Sequence, residues 1–262
     1  MSTLRAEHSD GIHQETPAAN PTRFERKFYL PSSKIPFARH LLVHCCPRDR
    51  QYPEGIVNSV YYDTSNLEFF CDSVDGNYIR NKVRIRWYDG PQQKCETTPV
   101  YLELKSKNGY AGSKQRKMHL VPSGQLNNGE MQNGIIDYTT LRQGLAQFDY
   151  FPRKCLQPMI LISYNRLRFE DMLTGSRVSL DWNIRSILVS PQLNRQEGSL
   201  LMRGGVIEIK GQSTNIPPPL QSIRHLGTDW SRYSKYAACM ESQLETPGSV
   251  GRFWPSGRVE EF

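Results

Sequence analysis

The sequence has no long apolar run. Met159-Ile160-Leu161-Ile162 is representative of its apolar stretches, far below the roughly 20 residues that a membrane-spanning helix needs, and no membrane insertion is expected. The first twenty residues, MSTLRAEHSDGIHQETPAAN, have no apolar segment behind their charges, so nothing there reads as a secretory signal and a cytoplasmic location is the expectation. No C-x-x-C pair occurs. The six cysteines (Cys45, Cys46, Cys71, Cys95, Cys155, Cys239) include one adjacent pair with no second pair at zinc-finger spacing; they read as reduced thiols, mostly buried. Internal repeats and sharp shifts of composition are also lacking.

What is present is enough for a real core: 262 residues, 37% hydrophobic and 10% aromatic, which excludes wholesale disorder. Residues 1–22 and 246–262 are polar, aperiodic and carry scattered Pro and Gly, the composition of disordered tails around one domain at 23–245. Lys and Arg number 33 against 26 Asp and Glu, a net charge of +7. That excess fits a nucleic-acid surface, an anionic membrane surface, or a pocket for a polyanionic small molecule, and its placement must decide.

The dominant local signal is period-two alternation, which puts successive side chains on opposite faces of a strand. It predicts strands over 24–29, 58–63, 82–88, 101–107, 160–170, 177–182 and 206–210. Helical patterning predicts helices over 33–45, 135–148 and 231–244, and a short turn after Pro217-Pro218-Pro219. The class is β-rich α+β.

In Lys82-Val83-Arg84-Ile85-Arg86-Trp87-Tyr88, one face is apolar and the other cationic. Tyr101–Lys107 sets Leu102 and Leu104 against Glu103, Lys105 and Lys107. Val206–Lys210 sets Ile207 and Ile209 against Glu208 and Lys210. Arg177 and Asp181 oppose Val178 and Leu180, and Glu25 and Lys27 oppose Phe24 and Phe28. Any half-buried strand with one wet side shows such alternation. Here, however, the charged faces mix signs within single strands, and the apolar faces hold large aromatics that need covering. If the sheet closes into a barrel with helices outside, the charges line a lumen, suited to a phosphate chain and its divalent ions. Nucleic-acid binding would instead predict bases clustered on an outer surface with aromatics for stacking. His40 and His44, four apart on a predicted helix, have metal spacing but no third ligand nearby.

These residues resemble the VTC domain, the polyphosphate polymerase domain of the vacuolar transporter chaperone complex and its bacterial single-domain relatives, within the CYTH-like triphosphate tunnel metalloenzymes. The matches run in order: Arg23–Phe28, Val57–Thr64, Lys82–Tyr88, Leu102–Lys107, Ser163–Arg166, Arg177–Asp181, Val206–Lys210 and Ser231–Tyr236. The resemblance implies a closed antiparallel β-barrel, a tunnel with helices packed outside. It implies a polymerase that moves the γ-phosphoryl group of ATP onto polyphosphate or pyrophosphate with Mn²⁺ or Mg²⁺. Arg84, Arg86, Lys105, Arg166, Arg177 and Glu208 are the implied catalytic set. Lys27, Lys114, Arg116, Lys210, Arg232 and Lys235 are the implied phosphate-binding bases, with Arg80 and Lys82 competing for one further position. Glu208 is the implied metal carboxylate, with Glu25, Glu103 and Asp181 as additional candidates. The superfamily's E-x-E-x-K signature is here only Glu25-Arg26-Lys27, which tilts the expectation from hydrolase toward polymerase. A metal-dependent triphosphate hydrolase and a non-catalytic polyphosphate-binding protein are the alternatives.

Overall fold

A computed structural model describes residues 24–89, 96–109, 111–126, 131–193, 198–228 and 233–244. The expected tails and Arg232 lie outside them. Nine strands form one sheet: β1 (Phe24–Leu30), β2 (Glu54–Asp63), β3 (Ile79–Asp89), β4 (Thr97–Asn108), β5 (Ala111–Pro122), β6 (Gln157–Glu170), β7 (Arg177–Leu188), β8 (Leu200–Leu201) and β9 (Gly205–Gly211). Their order is β1-β9-β7-β6-β2-β3-β4-β5, with β8 on β7, and each pair is antiparallel. The helices are α1 (Ile35–Cys45), α2 (Glu68–Asp75), α3 (Tyr138–Ala146) and α4 (Lys235–Leu244), and a 3-10 segment spans Pro218–Leu226.

Alternation divides the sheet as the pattern predicts. One apolar face is covered in two parts. Phe28, Leu30, Leu167, Val178, Leu180, Ile207 and Ile209 pack against Ala38 and Leu42 of α1 and Leu220 and Ile223 of the 3-10 segment. Val60, Val83, Ile85, Trp87, Leu102 and Leu104 pack against Leu141 and Leu145 of α3. Each fully buried aliphatic side chain contributes about 1.5–3 kcal/mol. Helix α3 starts where Asp137 accepts the Thr140 amide at 2.9 Å, an N-cap. Gly144 lets it lie close to the sheet, since a Cβ there would stand 2.5 Å from Leu102 Cδ2.

The opposite face is concave. Glu25 of β1 reaches Lys105 of β4 at 2.9 Å although five strands lie between β1 and β4 in the ladder order. Only a strongly curled sheet brings them together. The curl makes a half-barrel, and among the described residues no ladder joins the edges β1 and β5. A β5 edge bearing Lys114, Arg116 and Lys117 is of the charged kind that resists strand addition.

The helix placement also differs from expectation. Helix α4 packs inside the curl: Tyr236, Ala238, Cys239 and Met240 are buried with Val57, Tyr61, Ile160, Ile162 and Val206. Helix α2, which no helical pattern marks, is organised by one side chain. Asp63 accepts the amides of Thr64 and Phe69 on Oδ1 at 2.7 and 2.9 Å and that of Phe70 on Oδ2 at 2.9 Å, and Tyr236 of α4 also donates to Oδ2 at 2.6 Å. Of the five described cysteines, all free, Cys71 and Cys155 are exposed and Cys45 half-buried, so "mostly buried" holds only for Cys46 and Cys239. His40 and His44 lie side by side on the exposed side of α1, ring centroids 4.2 Å apart and planes tilted by 41°.

Candidate functional site: a cationic cleft

The concave face takes its charges from alternate positions of seven strands. From β3 come Lys82, Arg84 and Arg86; from β1 and β9 come Glu25, Lys27, Glu208 and Lys210, paired in register as Glu25↔Lys210 and Lys27↔Glu208. Strand β4 supplies Glu103 and Lys105, and β5 supplies Arg116 and Lys114 opposite them. Arg166 of β6 faces Asp181 of β7. Helix α4 adds Lys235. Ten bases thus share the face with four carboxylates.

Each carboxylate holds bases in place. Asp181, fully buried, receives Arg166 Nε and Nη2 at 2.6 and 2.7 Å and Lys235 at 2.6 Å, a bidentate pair with a third charge. Glu103 takes Arg84 at 2.6 Å and Lys114 at 2.7 Å, with Arg116 at 3.6 Å. Glu25 takes Lys105 at 2.9 Å, Lys27 at 3.5 Å and Lys210 at 3.7 Å. Glu208 is the least committed: its nearest partners are Lys210 at 3.3 Å and Arg166 at 3.4 Å.

Tyrosines and the start of α4 complete the lining. Arg84 donates to the Tyr61 hydroxyl at 2.9 Å and Arg86 to Ser59 at 3.0 Å and Tyr164 at 3.3 Å. Arg166 and Lys235 lie 5.3 and 4.9 Å from the Tyr164 ring centroid, within cation–π range. Lys82 donates to Ser234 at 2.7 Å and Lys27 to the Tyr233 carbonyl at 3.1 Å, so the segment leading into α4 closes one end of the cleft.

The electrostatics record an excess of positive charge out of water. Burial, with neighbouring ammonium groups adding to it, pulls Lys27 down to about 7 despite the opposing pull of Glu25. Lys82 is pushed well below its usual range by burial and then by Lys27 and Lys105. Burial brings Lys114 down to about 8 against the attraction of Glu103 and lowers Lys210. Burial alone would raise the Tyr164 phenol, but Arg166 and Arg86 bring it down to about 8. Burial would likewise raise Glu25, Glu103 and Asp181, and the bases beside them hold all three well below the carboxylate range. Such a site gains from a bound polyanion, which re-ionises the lysines.

The expected residues are therefore gathered on one face, with two exceptions. Arg177 is exposed at the start of β7, opposite Lys210, on the cleft's rim, and Arg232 is outside the described residues. Of the competing Arg80 and Lys82, Lys82 meets the α4 segment through Ser234. Sequence reasoning passed over Tyr61, Tyr164, Ser234 and Asp63; Tyr164 could have been found, since it sits two residues before Arg166 on the same strand face. Among the described residues no three His, Cys, Asp or Glu side chains converge as metal ligands, so no all-protein cage exists. Mg²⁺ or Mn²⁺ held by one or two carboxylates, waters and substrate phosphates remains compatible with the donors, and Glu208 is the carboxylate with oxygens to spare.

The family model of the VTC domain matches residues 22–244. No curated protein matches the chain. Similar solved structures include a candidate adenylate cyclase from Bacillus halodurans (14% identity, TM-score 0.44, covering 87% of this chain and 95% of that one). Another is a candidate adenylate cyclase from Vibrio parahaemolyticus (10%, 0.40, 85% and 88%), and a third is a chain of the Schizosaccharomyces pombe Mediator head module (10%, 0.36, 86% and 95%).

Proposed function

The chain belongs to the VTC domain family, and from that premise we propose that it is a polyphosphate polymerase working in a triphosphate tunnel. ATP donates its γ-phosphoryl group to a phosphate or polyphosphate acceptor and leaves as ADP. The observation that carries this reading is the set of ten bases on one concave face, eight of them held by carboxylates and two, Lys82 and Arg86, by hydroxyls, with only four carboxylates among them. Phosphoryl transfer is mainly a matter of positioning and of stabilising charge on phosphate oxygens, and an acceptor phosphate oxygen can attack in line without a protein nucleophile.

In this reading Arg84, Arg86, Lys105, Arg166 and the rim residue Arg177 neutralise charge on the transferring phosphoryl group and its neighbours. Lys27, Lys82, Lys114, Lys210 and Lys235 hold the rest of the chain. Arg166 is preoriented by Asp181, and Arg84 by Glu103 and Tyr61, so little reorganisation accompanies reaction. Glu208 would hold a divalent ion, which when bound supplies further charge neutralisation on phosphate oxygens. Because Glu103 and Asp181 hold their bases at 2.6–2.7 Å, we assign them to positioning those bases; Glu25 positions Lys105 through Oε2 at 2.9 Å, while its Oε1 has only Lys27 and Lys210 at 3.5 and 3.7 Å. Closure of the half-barrel into a tunnel belongs to the same proposal, as the Glu25–Lys105 pair already spans the opening. No helix of the described residues is long and apolar enough to cross a membrane.

Incubation of the purified protein with ATP and Mn²⁺, followed by separation of products, tests the reading. Long phosphate chains with stoichiometric ADP support it. Free phosphate alone indicates a hydrolase, and tight polyphosphate binding without turnover indicates a binding protein; either outcome overturns it.

A further inference from the structure

Strand β3 places four side chains in sequence along the cleft. Lys82 meets Ser234 at the end closed by α4, Arg84 and Arg86 follow, and Tyr88 comes last. At about 7 Å per two residues this run covers about 20 Å. The cationic lining therefore does not fade into solvent at its open end but passes into aromatic side chains.

There the Tyr88 and Tyr101 rings meet edge to face with centroids 6.1 Å apart. The Arg116 guanidinium lies 3.4 Å from the Tyr101 centroid and 5.9 Å from that of Tyr88. Arg168 approaches Tyr88 from β6 at 5.8 Å. Met118 sits opposite Tyr101 in register. Tyr88 is 39% and Met118 56% exposed, a large amount of ring and thioether surface left wet beside a phosphate channel. Arg116, expected among the phosphate-binding bases, has its guanidinium carbon over the Tyr101 ring and a 3.6 Å contact to Glu103.

From this continuity we infer that Tyr88, Tyr101 and Arg116 form a stacking shelf for the nucleobase of the donor nucleotide, and that the nucleotide lies base-outward with its phosphates directed toward Lys82 and α4. The inference rests on the phosphotransferase reading of the cleft and adds its nucleoside subsite. A triphosphate laid along Lys82, Arg84 and Arg86 brings its sugar and base out beside Tyr88, where a π-face and a guanidinium plane are available. Stacking of this kind accepts any base and favours those with more surface, so purine triphosphates bind better than pyrimidine ones and ATP and GTP bind alike.

The test compares ATP, GTP, CTP and inorganic tripolyphosphate by competition binding to the full chain and to Tyr88→Ala, with Tyr88→Phe as the conservative control. The wild type is expected to hold ATP and GTP equally and CTP more weakly. Tyr88→Ala is expected to lose about tenfold for ATP, to leave tripolyphosphate within about twofold, and to erase the purine preference; Tyr88→Phe keeps ATP binding. If Tyr88→Ala leaves ATP unchanged, or weakens ATP and tripolyphosphate equally, the shelf is overturned while the phosphate site stands. Failure of the wild type to bind either ATP or tripolyphosphate removes the phosphotransferase reading, and the shelf with it.

Discussion

Binding of ATP should draw protons onto the protein. At pH 8.0 Lys27, held near 7 by burial, is about one-tenth protonated, and Lys114, held near 8, about half. A tetra-anionic nucleotide beside them restores both toward the ordinary lysine range near 10.4, an uptake of about 0.9 and 0.5 proton respectively. The Tyr164 phenol, brought down to about 8, regains about half a proton for the same reason. The terminal phosphate of ATP, whose second ionisation lies near 6, is already deprotonated and releases almost none. These three groups take up about two protons, and Lys82 and Lys210, also lowered by burial, can only add to that. By linkage, affinity should then fall by about two decades or more per pH unit around pH 8. Calorimetric titration with ATP in chelator, run at pH 8.0 in two buffers of different ionisation enthalpy, counts the protons directly. Lys27→Met should remove close to one of them. Zero uptake, or net release, would refute the picture of a cleft whose lysines are discharged by burial and by one another.

Three further outcomes follow from the geometry. Arg166→Gln strips the buried Asp181 carboxylate of its bidentate partner and leaves only Lys235, at a cost of about 3 kcal/mol, read by denaturant titration; adding Asp181→Asn should recover most of that loss. Glu208→Gln should abolish turnover while shifting stability by less than about 1 kcal/mol, because its ion pairs are long, and undiminished activity would remove Glu208 from the mechanism. Tyr236→Phe deletes the hydroxyl that donates to Asp63 and should cost about 1 kcal/mol with ATP affinity unchanged, measured by thermal melting and binding side by side.

The division of each strand into an apolar and a charged face was legible because alternation is local. Val83, Ile85 and Trp87 are buried, and Lys82, Arg84 and Arg86 face the cleft, as period two requires. Curvature was not legible. The Glu25–Lys105 contact depends on twist accumulated over the strands between β1 and β4, and no single strand encodes whether the ladder closes. Helix α2 was missed because its signal is not a periodic stripe but the Asp63 carboxylate on the preceding strand, which collects three amides only once the chain has turned. Helix α4 presents an apolar side that suits either face of a sheet, and its place inside the curl is fixed by Tyr236 meeting Asp63 and Lys235 meeting Asp181. Among the site residues, the bases were found by strand parity and family likeness. The tyrosines were passed over because a tyrosine on a β-strand reads first as packing.

The central claim, that this cleft transfers γ-phosphoryl groups into a phosphate chain, is tested most directly by tracing the label. Parallel reactions with Mn²⁺ and ATP carrying radiolabel in either the γ- or the α-phosphate, resolved by gel, should place the γ-label in material of increasing length and keep the α-label in ADP. Label from the γ-position appearing only as free phosphate, or α-label entering the product, would contradict it.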